Sequence, residues 1–241
     1  MLLAANRHAR NNDSSLSRKT KHAEINDMNA AFFDMDKTVL RIDTLRSWIA
    51  YQRESGEIST IDLMRGMYWG ILYRLALTSF DAMENSFSTL AGESEYDLTQ
   101  KGKRWFQECV EHEISSDAVK AIEHHRQRRE KIVLITGSTQ YTPEALSAML
   151  NIDHTLCSRL EVVDGKFTGR LESRCYGEHK VTAAEEFAQL HGIDLDKSTF
   201  YSDSYLDLPM LNRVNTPVVV NPDWRLKRHA KKAGWQTEYW S

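Results

Sequence analysis

Residues 31–40 read AFFDMDKTVL, an apolar run that ends on two aspartates, Asp34 and Asp36, and turns apolar again at Val39 and Leu40. Side chains two positions apart on an extended strand share a face, so this spacing sets two carboxylates together at the end of a buried strand. Like charges at that range raise each other's pKa unless a cation or a shared proton relieves them. The pair is either a solvated coincidence or a prepared site, and the surrounding sequence decides between the two.

Outward from this stretch, short apolar runs alternate with helical text. KIVLIT (131–136), STFYS (198–202) and PVVV (217–220) read as strands. Between and after them, helices are expected from Thr142-Pro143 through Leu150, from Glu178 to His191 and from Trp224 to Ala233. EVVDGKFTGRL reads as a hairpin, because Asp164-Gly165 between alternating residues is a strong short-range hairpin signal. Strands alternating with helices imply a parallel α/β sheet.

The first proline is Pro143, so nothing in the first 142 residues forces a helix to stop. From Thr44 to Arg129 the text is helix-like, and Leu63, Met64, Met67, Tyr68, Ile71, Leu72, Leu75 and Ala76 fall at helical spacing. LMRGMYWGILYRLALTSF covers only 18 residues and carries Arg65 and Arg74, so a packed helix is expected rather than a membrane span, with an interfacial membrane contact as the alternative. The aromatic residues Tyr51, Tyr68, Trp69 and Tyr73 are expected in core packing, with the substrate side of the helical block as the alternative. The fold class predicted is α/β: a Rossmann-like parallel-sheet core over 28–43 and 115–241, with an inserted all-helical cap over 44–114. Residues 1–27 are polar and read as a disordered extension, with Met28 just ahead of the first strand as an alternative start of translation.

Lys plus Arg number 31 and Asp plus Glu 34, a formal charge of −3 that offers no general attraction for nucleic acid or anionic lipid. Any anionic ligand has to be caught by a local site, and stable membrane insertion is not expected. Cys109, Cys157 and Cys175 include no CxxC pair, which fits plain thiols in a reducing, cytoplasmic compartment better than a disulfide framework or a zinc site. His124 and His125, in the polar stretch AIEHHRQRRE, read as solvated.

In open α/β sheets ligands collect at the carboxyl ends of the strands. There the sequence places Asp34 and Asp36, then Thr38; Thr136, Gly137 and Ser138 of LITGST; Lys180 of YGEHKV near a helix start; and Asp203 and Asp207 of YSDSYLDLPML. Hard carboxylate oxygens with few other donors suit Mg²⁺, which keeps several waters and accepts a substrate phosphate. A cation, a lysine and oriented N–H donors are what phosphoryl transfer requires, since it is governed by positioning and charge stabilisation.

DMDKT, LITGST, the lysine of GEHK and YSDSYLD together resemble the four motifs of the haloacid dehalogenase superfamily, from about Asn29 to the C-terminus. The helical block between the first and second motifs looks like the cap of the branch that includes phosphoserine phosphatases. The resemblance implies an Mg²⁺-dependent phosphatase of small phosphomonoesters, with Asp34 as nucleophile forming an aspartyl-phosphate and Asp36 as general acid and base. Thr136, Gly137 and Lys180 would bind phosphate oxygens. Asp34, Asp36 through its backbone carbonyl, and Asp203 would hold the metal, with Asp207 supporting it. Phosphoserine phosphatases of this branch carry Ser-Gly-Gly and an Asn before the last motif aspartate, where this chain has Thr136-Gly137-Ser138 and Leu206, a departure that weighs against L-phosphoserine itself; the expected substrates are small soluble phosphomonoesters such as amino-alcohol phosphates, phosphoserine and histidinol phosphate among them, with a lipid head-group phosphate as the outside choice. Asp43, nine residues after Asp34, is a candidate specificity residue, its alternative role being a helix N-cap. Ion-pumping ATPases share DKT, but this chain is too short and carries Asp36 where they carry threonine. Two other readings stand beside the phosphatase: a catalytically idle binding or regulatory protein of the same fold, and a phosphotransferase to an acceptor other than water.

Overall fold

The computed structural model describes residues 28–56 and 87–241. The expected extension over 1–27 and the apolar helix carrying Leu63, Met64, Met67, Tyr68, Trp69 and Tyr73 lie outside the described residues.

The strands are β1 (Ala30–Phe33), β2 (Lys131–Thr139), β3 (His154–Val163), β4 (Lys166–Ser173), β5 (Thr199–Ser202), β6 (Thr216–Val220) and β7 (Gln236–Glu238). They form one sheet in the order β4-β3-β2-β1-β5-β6-β7. All neighbours run parallel except β3 and β4, the hairpin read from the sequence. Its turn sits at Asp164 and Gly165, with φ of 51° and 73°, the left-handed pair that a two-residue hairpin turn needs. The edge strand β7 had no sequence signal beyond three polar residues. Helices among the described residues are α1 (Thr44–Glu54), α2 (Glu95–Trp105), α3 (Ser116–Gln127), α4 (Tyr141–Leu150), α5 (Glu178–His191), α6 (Leu208–Arg213) and α7 (Trp224–Ala233).

Alternation along β1 divides the core. Ala30 and Phe32 pack with Phe200 and Val219 against Ala184, Phe187 and Ala188 of α5, Met210 and Leu211 of α6, and Leu226 and Ala230 of α7. Ala31 and Phe33 pack on the opposite face with Ile132, Leu134 and Val220 against Ala118 and Ile122 of α3 and Leu146 of α4. Phe32, Phe33 and Phe200 are fully buried, each contributing about 2 kcal/mol of apolar burial. With helices on both faces, the strands' carboxyl edge is left open for polar residues.

Two local expectations change. α4 begins at Tyr141 behind Gln140, which makes no side-chain cap, so Thr142 is not its cap. Pro143 becomes the third helical residue, where its missing N–H has no intrahelical partner to lose. His124 is exposed as expected, but His125 is 4% exposed: its Nδ1 is hydrogen-bonded with Glu130 and its Nε2 with the Tyr201 hydroxyl at 2.8 Å. Burial holds its pKa below the ordinary histidine value despite Glu130. The three cysteines are free, with Cys157 and Cys175 buried.

The two ends of the 44–114 block run side by side. Leu40 bridges Ile114 in antiparallel fashion, and the N–H of Arg41 donates to the Glu113 carbonyl at 2.8 Å. Farther along, the N–H of Glu95 donates to the Gly165 carbonyl and that of Phe167 to the Glu93 carbonyl, both at 3.0 Å, so the tip of the β3–β4 hairpin holds the segment that opens α2. Gly169 (φ 81°) lies close enough that a Cβ there would stand 3.0 Å from the Cα of Ser88.

Candidate active site

β1 stops at Phe33, so simple strand alternation does not carry from Asp34 to Asp36. The chain instead turns tightly: Lys37 has φ 55°, its N–H donates to the Ile42 carbonyl at 3.0 Å, and the Leu40 N–H donates to the Met35 carbonyl at 2.9 Å. The Asp34 N–H continues the strand's pairing to the Tyr201 carbonyl at 2.9 Å, fixing the first aspartate against β5. The two carboxylates remain within Coulombic reach of each other.

Lys180 stands in the first turn of α5, whose N-cap Gly177 has φ 52°, a conformation that favours glycine. Its ammonium donates to Asp34 Oδ1 at 2.6 Å and to Asp207 Oδ2 at 2.8 Å, and it lies 5.6 Å from the Phe200 ring centre. Asp207 Oδ2 also accepts from the Ser202 hydroxyl at 2.7 Å. Lys180 is 3% exposed, Asp34 7%, Asp203 6% and Asp207 4%. The structure thus joins Asp34, Lys180 and Asp207 directly, three residues drawn from three separate stretches of the chain.

The other expected residues lie around this triad. Asp36 Oδ1 accepts the backbone N–H of Thr44 at 3.0 Å. Asp203, at the end of β5, interacts electrostatically with Asp34, Asp207, Lys37 and Asp36. Thr136 is buried at the end of the regular β2 pairing, before the register shift between Thr136 and Thr139, and its hydroxyl accepts the Ser138 N–H at 3.2 Å. A Cβ on Gly137 would meet Tyr176 Cβ at 3.4 Å. The Thr38 hydroxyl is buried with no hydrogen-bond partner among the described residues. Asp43 takes its N-cap role, accepting the Arg46 N–H at 3.2 Å, and lies 4.0 Å from the Lys37 ammonium. Thr44 and Ser202 went unassigned in the sequence; Thr44 was visible only as the residue after a cap, and Ser202 only as one of two serines flanking Asp203.

Burial dominates the electrostatics. It pushes Asp34 up to about 7 against the pull of Lys180, and Asp36 up to about 6 against the Thr44 N–H. Asp203 is raised well above the carboxylate range by burial and then by Asp34. Burial opposes the charge on Lys180, but Asp207 and Asp34 outweigh it and hold the ammonium above the ordinary lysine range. Among the described residues no three His, Cys, Asp or Glu side chains are gathered in metal-holding geometry; Asp207 is engaged by Lys180 and Ser202, and Asp36 by Thr44. The donor chemistry nevertheless fits a hard divalent cation: Asp34 and Asp207 share one buried ammonium, and Asp203, raised further by Asp34, Asp207 and Asp36, adds carboxylate charge beyond it.

A pH dependence of stability follows. The folded values of Asp34 and Asp36, about 7 and about 6, exceed their ordinary 3.8, so the folded chain binds more protons than the unfolded chain between those limits. Their contribution is fully present below about pH 4 and is lost as pH rises through 6 and 7. In thermal unfolding without metal, the melting temperature should fall across that window. Added Mg²⁺ should raise it more at about pH 8 than at about pH 5; an equal rise at both would contradict a carboxylate site relieved by the cation.

Residues 31–212 match the family model described as haloacid dehalogenase-like hydrolase. The chain is 30% identical over 211 residues to an inhibition of morphological differentiation protein of Streptomyces azureus, covering 86% of this chain and 76% of that one. It is 29% identical over 218 residues to a phosphoserine phosphatase of Mycobacterium tuberculosis, covering 86% and 69%. Among solved structures, a phospho-aspartyl intermediate analogue of phosphoserine phosphatase superimposes with a TM-score of 0.66 at 18% identity, over 88% of this chain and 93% of that one, a likeness of fold.

Proposed function

The chain belongs to the haloacid dehalogenase-like hydrolase family, and from that premise we infer that it hydrolyses small phosphomonoesters through a covalent intermediate on Asp34. The observation that carries this reading is the Lys180 ammonium held between Asp34 and Asp207 at the carboxyl edge of the sheet. A carboxylate aimed by a buried cation is oriented for attack, and the same cation is placed to neutralise charge building on a phosphoryl oxygen.

In the proposed sequence an Asp34 oxygen attacks phosphorus and the bond to the leaving alkoxide breaks. Asp36, whose pKa of about 6 leaves part of it protonated near neutrality, gives its proton to that oxygen. Asp36, now a carboxylate, takes a proton from water as the water oxygen attacks the aspartyl-phosphate, releasing inorganic phosphate and restoring Asp34. Thr44 positions Asp36 through its N–H, and Asp207 with Ser202 positions Lys180. Thr136 and the Gly137 N–H are the further phosphate donors. Asp34, the Asp36 carbonyl and Asp203 would hold Mg²⁺, with Asp207 in support. When bound, the cation neutralises the carboxylate surplus and polarises the phosphoryl group.

We assign residues 28–43 and 115–241 to the core and 44–114 to a cap, because the chain entering the block at Leu40 and Arg41 is bridged to the chain leaving it at Glu113 and Ile114. Closure of such a cap excludes water from the intermediate and selects the leaving group. The substrate class is an amino-alcohol phosphate. Asp43, close to Asp36 and Lys37, is the residue through which a substrate amine would be read. Three free thiols fit a cytoplasmic setting.

The experiment is release of inorganic phosphate and of nitrophenol from p-nitrophenyl phosphate, with Mg²⁺ and with chelator. Equal yields of both products, only with metal, are expected. Nitrophenol in excess over phosphate would favour transfer to another acceptor, and no turnover across a panel of phosphomonoesters would favour the idle binding protein.

A further inference from the structure

We propose that the outer face of α7 docks this protein on an anionic phospholipid surface. The sequence WRLKRHAKKA turns Leu226 and Ala230 into the core and sets Arg225, Lys227, Arg228, Lys231 and Lys232 at five of its eight other positions. No acid lies between Asp223 and Glu238. Asp223 is occupied as the helix cap, and Glu238 is bonded by Gln236 and Trp240. Among the described residues none of the five cations is held in an ion pair; Arg225 lies over the Tyr205 ring at 4.3 Å and Lys227 over that of Tyr239 at 5.4 Å. A chain of formal charge −3 thus concentrates uncompensated positive charge on one short helix.

The flanking aromatics select the partner among polyanions. Trp224 at the helix start is 68% exposed, and Tyr239, whose ring lies under the Lys227 ammonium, is 65% exposed. Large amphipathic rings bordering a cationic face are suited to the headgroup level of a bilayer, where the ring meets acyl carbon and the cations meet phosphate. A cavity of about 250 Å³ lined by Tyr205, Trp224, Arg225, Arg228, His229 and Lys232 has room for a headgroup phosphate and no acidic wall. The apolar side of α7 is committed to the core, so attachment is mainly electrostatic and peripheral, strengthened by each cation that nears the anionic surface.

The face is coupled to the site. The Asp223 N–H donates to the Asp203 carbonyl at 2.9 Å, and Asp223 Oδ2 accepts the Tyr205 N–H at 2.8 Å, so the loop carrying Asp203 is tied to the start of α7 by two hydrogen bonds. The proposal does not depend on the hydrolytic reading, because binding is measured without turnover.

The test is co-flotation of the full chain with vesicles of equal parts phosphatidylcholine and phosphatidylglycerol, against phosphatidylcholine alone. Binding is expected only to the mixed vesicles, to disappear at high salt, and to persist with inorganic phosphate added at the same ionic strength. The variant Arg228→Glu, Lys231→Glu, Lys232→Glu, all at exposed positions, should lose about 100-fold or more in vesicle partition, with an unchanged circular dichroism spectrum and melting temperature. Equal binding to both vesicle types, unchanged partition of the triple variant, or tighter binding to duplex DNA at matched phosphate concentration would overturn the proposal.

Discussion

Asp34→Asn is expected to lower phosphate release by roughly 10⁴-fold or more while leaving the fold intact. The amide keeps the shape of the carboxylate and its place at the end of β1, where the backbone N–H is fixed to the Tyr201 carbonyl. It cannot form an acyl phosphate by attack at phosphorus, so the loss falls on the chemical step. The fold should survive because burial already disfavours the charge at this position, holding Asp34 at about 7. Above that pH an uncharged side chain removes a penalty, and Lys180 retains Asp207 as its partner at 2.8 Å. The melting temperature at about pH 8 should therefore be equal to or above that of the parent. Acid-quenched protein after reaction with substrate should carry protein-bound phosphate in the parent and none in the variant. Full metal-dependent turnover by Asp34→Asn would remove the nucleophile from the mechanism.

Much of this site is legible in the sequence because it is built from strand ends. Apolar runs that stop on Asp34, Thr136 and Asp203 locate three polar positions along one edge of a parallel sheet, and the observed strand order places β1 between β2 and β5. The start of a helix locates Lys180. Local pattern cannot supply the partners chosen across the fold. Lys180 meets Asp34 146 positions away, and nothing near either residue encodes that contact. The same holds for His125, whose neighbours in AIEHHRQRRE are polar and whose burial is decided by Tyr201, 76 positions distant. Asp207 was expected beside the metal; its observed engagement by Lys180 and Ser202 depends on a turn, Tyr205–Asp207, whose geometry composition does not reveal. Asp36 was read as a strand neighbour of Asp34, and the left-handed backbone at Lys37 is what the alternation rule could not anticipate. The hairpin, by contrast, was readable to the residue, since Asp164-Gly165 is both its sequence signal and its physical cause.

Lys180→Met separates charge from shape at the centre of the site. Methionine nearly matches the length of the lysine stem and keeps its contact with Phe200, but removes the cation from between Asp34 and Asp207. Two buried carboxylates then face each other without compensation, and removing one partner from a buried ionic cluster costs about 3–5 kcal/mol. That loss should be visible as a lowered melting temperature at about pH 8 and should shrink at about pH 5, because Asp34, already at about 7 with the lysine present, takes up a proton once the cation is gone. Turnover should fall by about 10²–10³-fold or more, the scale of removing one preorganised donor from an anionic transition state. The double variant Lys180→Met, Asp207→Asn discriminates the two effects: it relieves the paired carboxylates and should recover much of the stability, while activity stays low because no ammonium remains to meet the phosphoryl group. Recovery of activity along with stability would make Lys180 a structural ion and shift phosphate binding elsewhere. Recovery of neither would mean that Asp207 carries a role of its own at the metal side of the site.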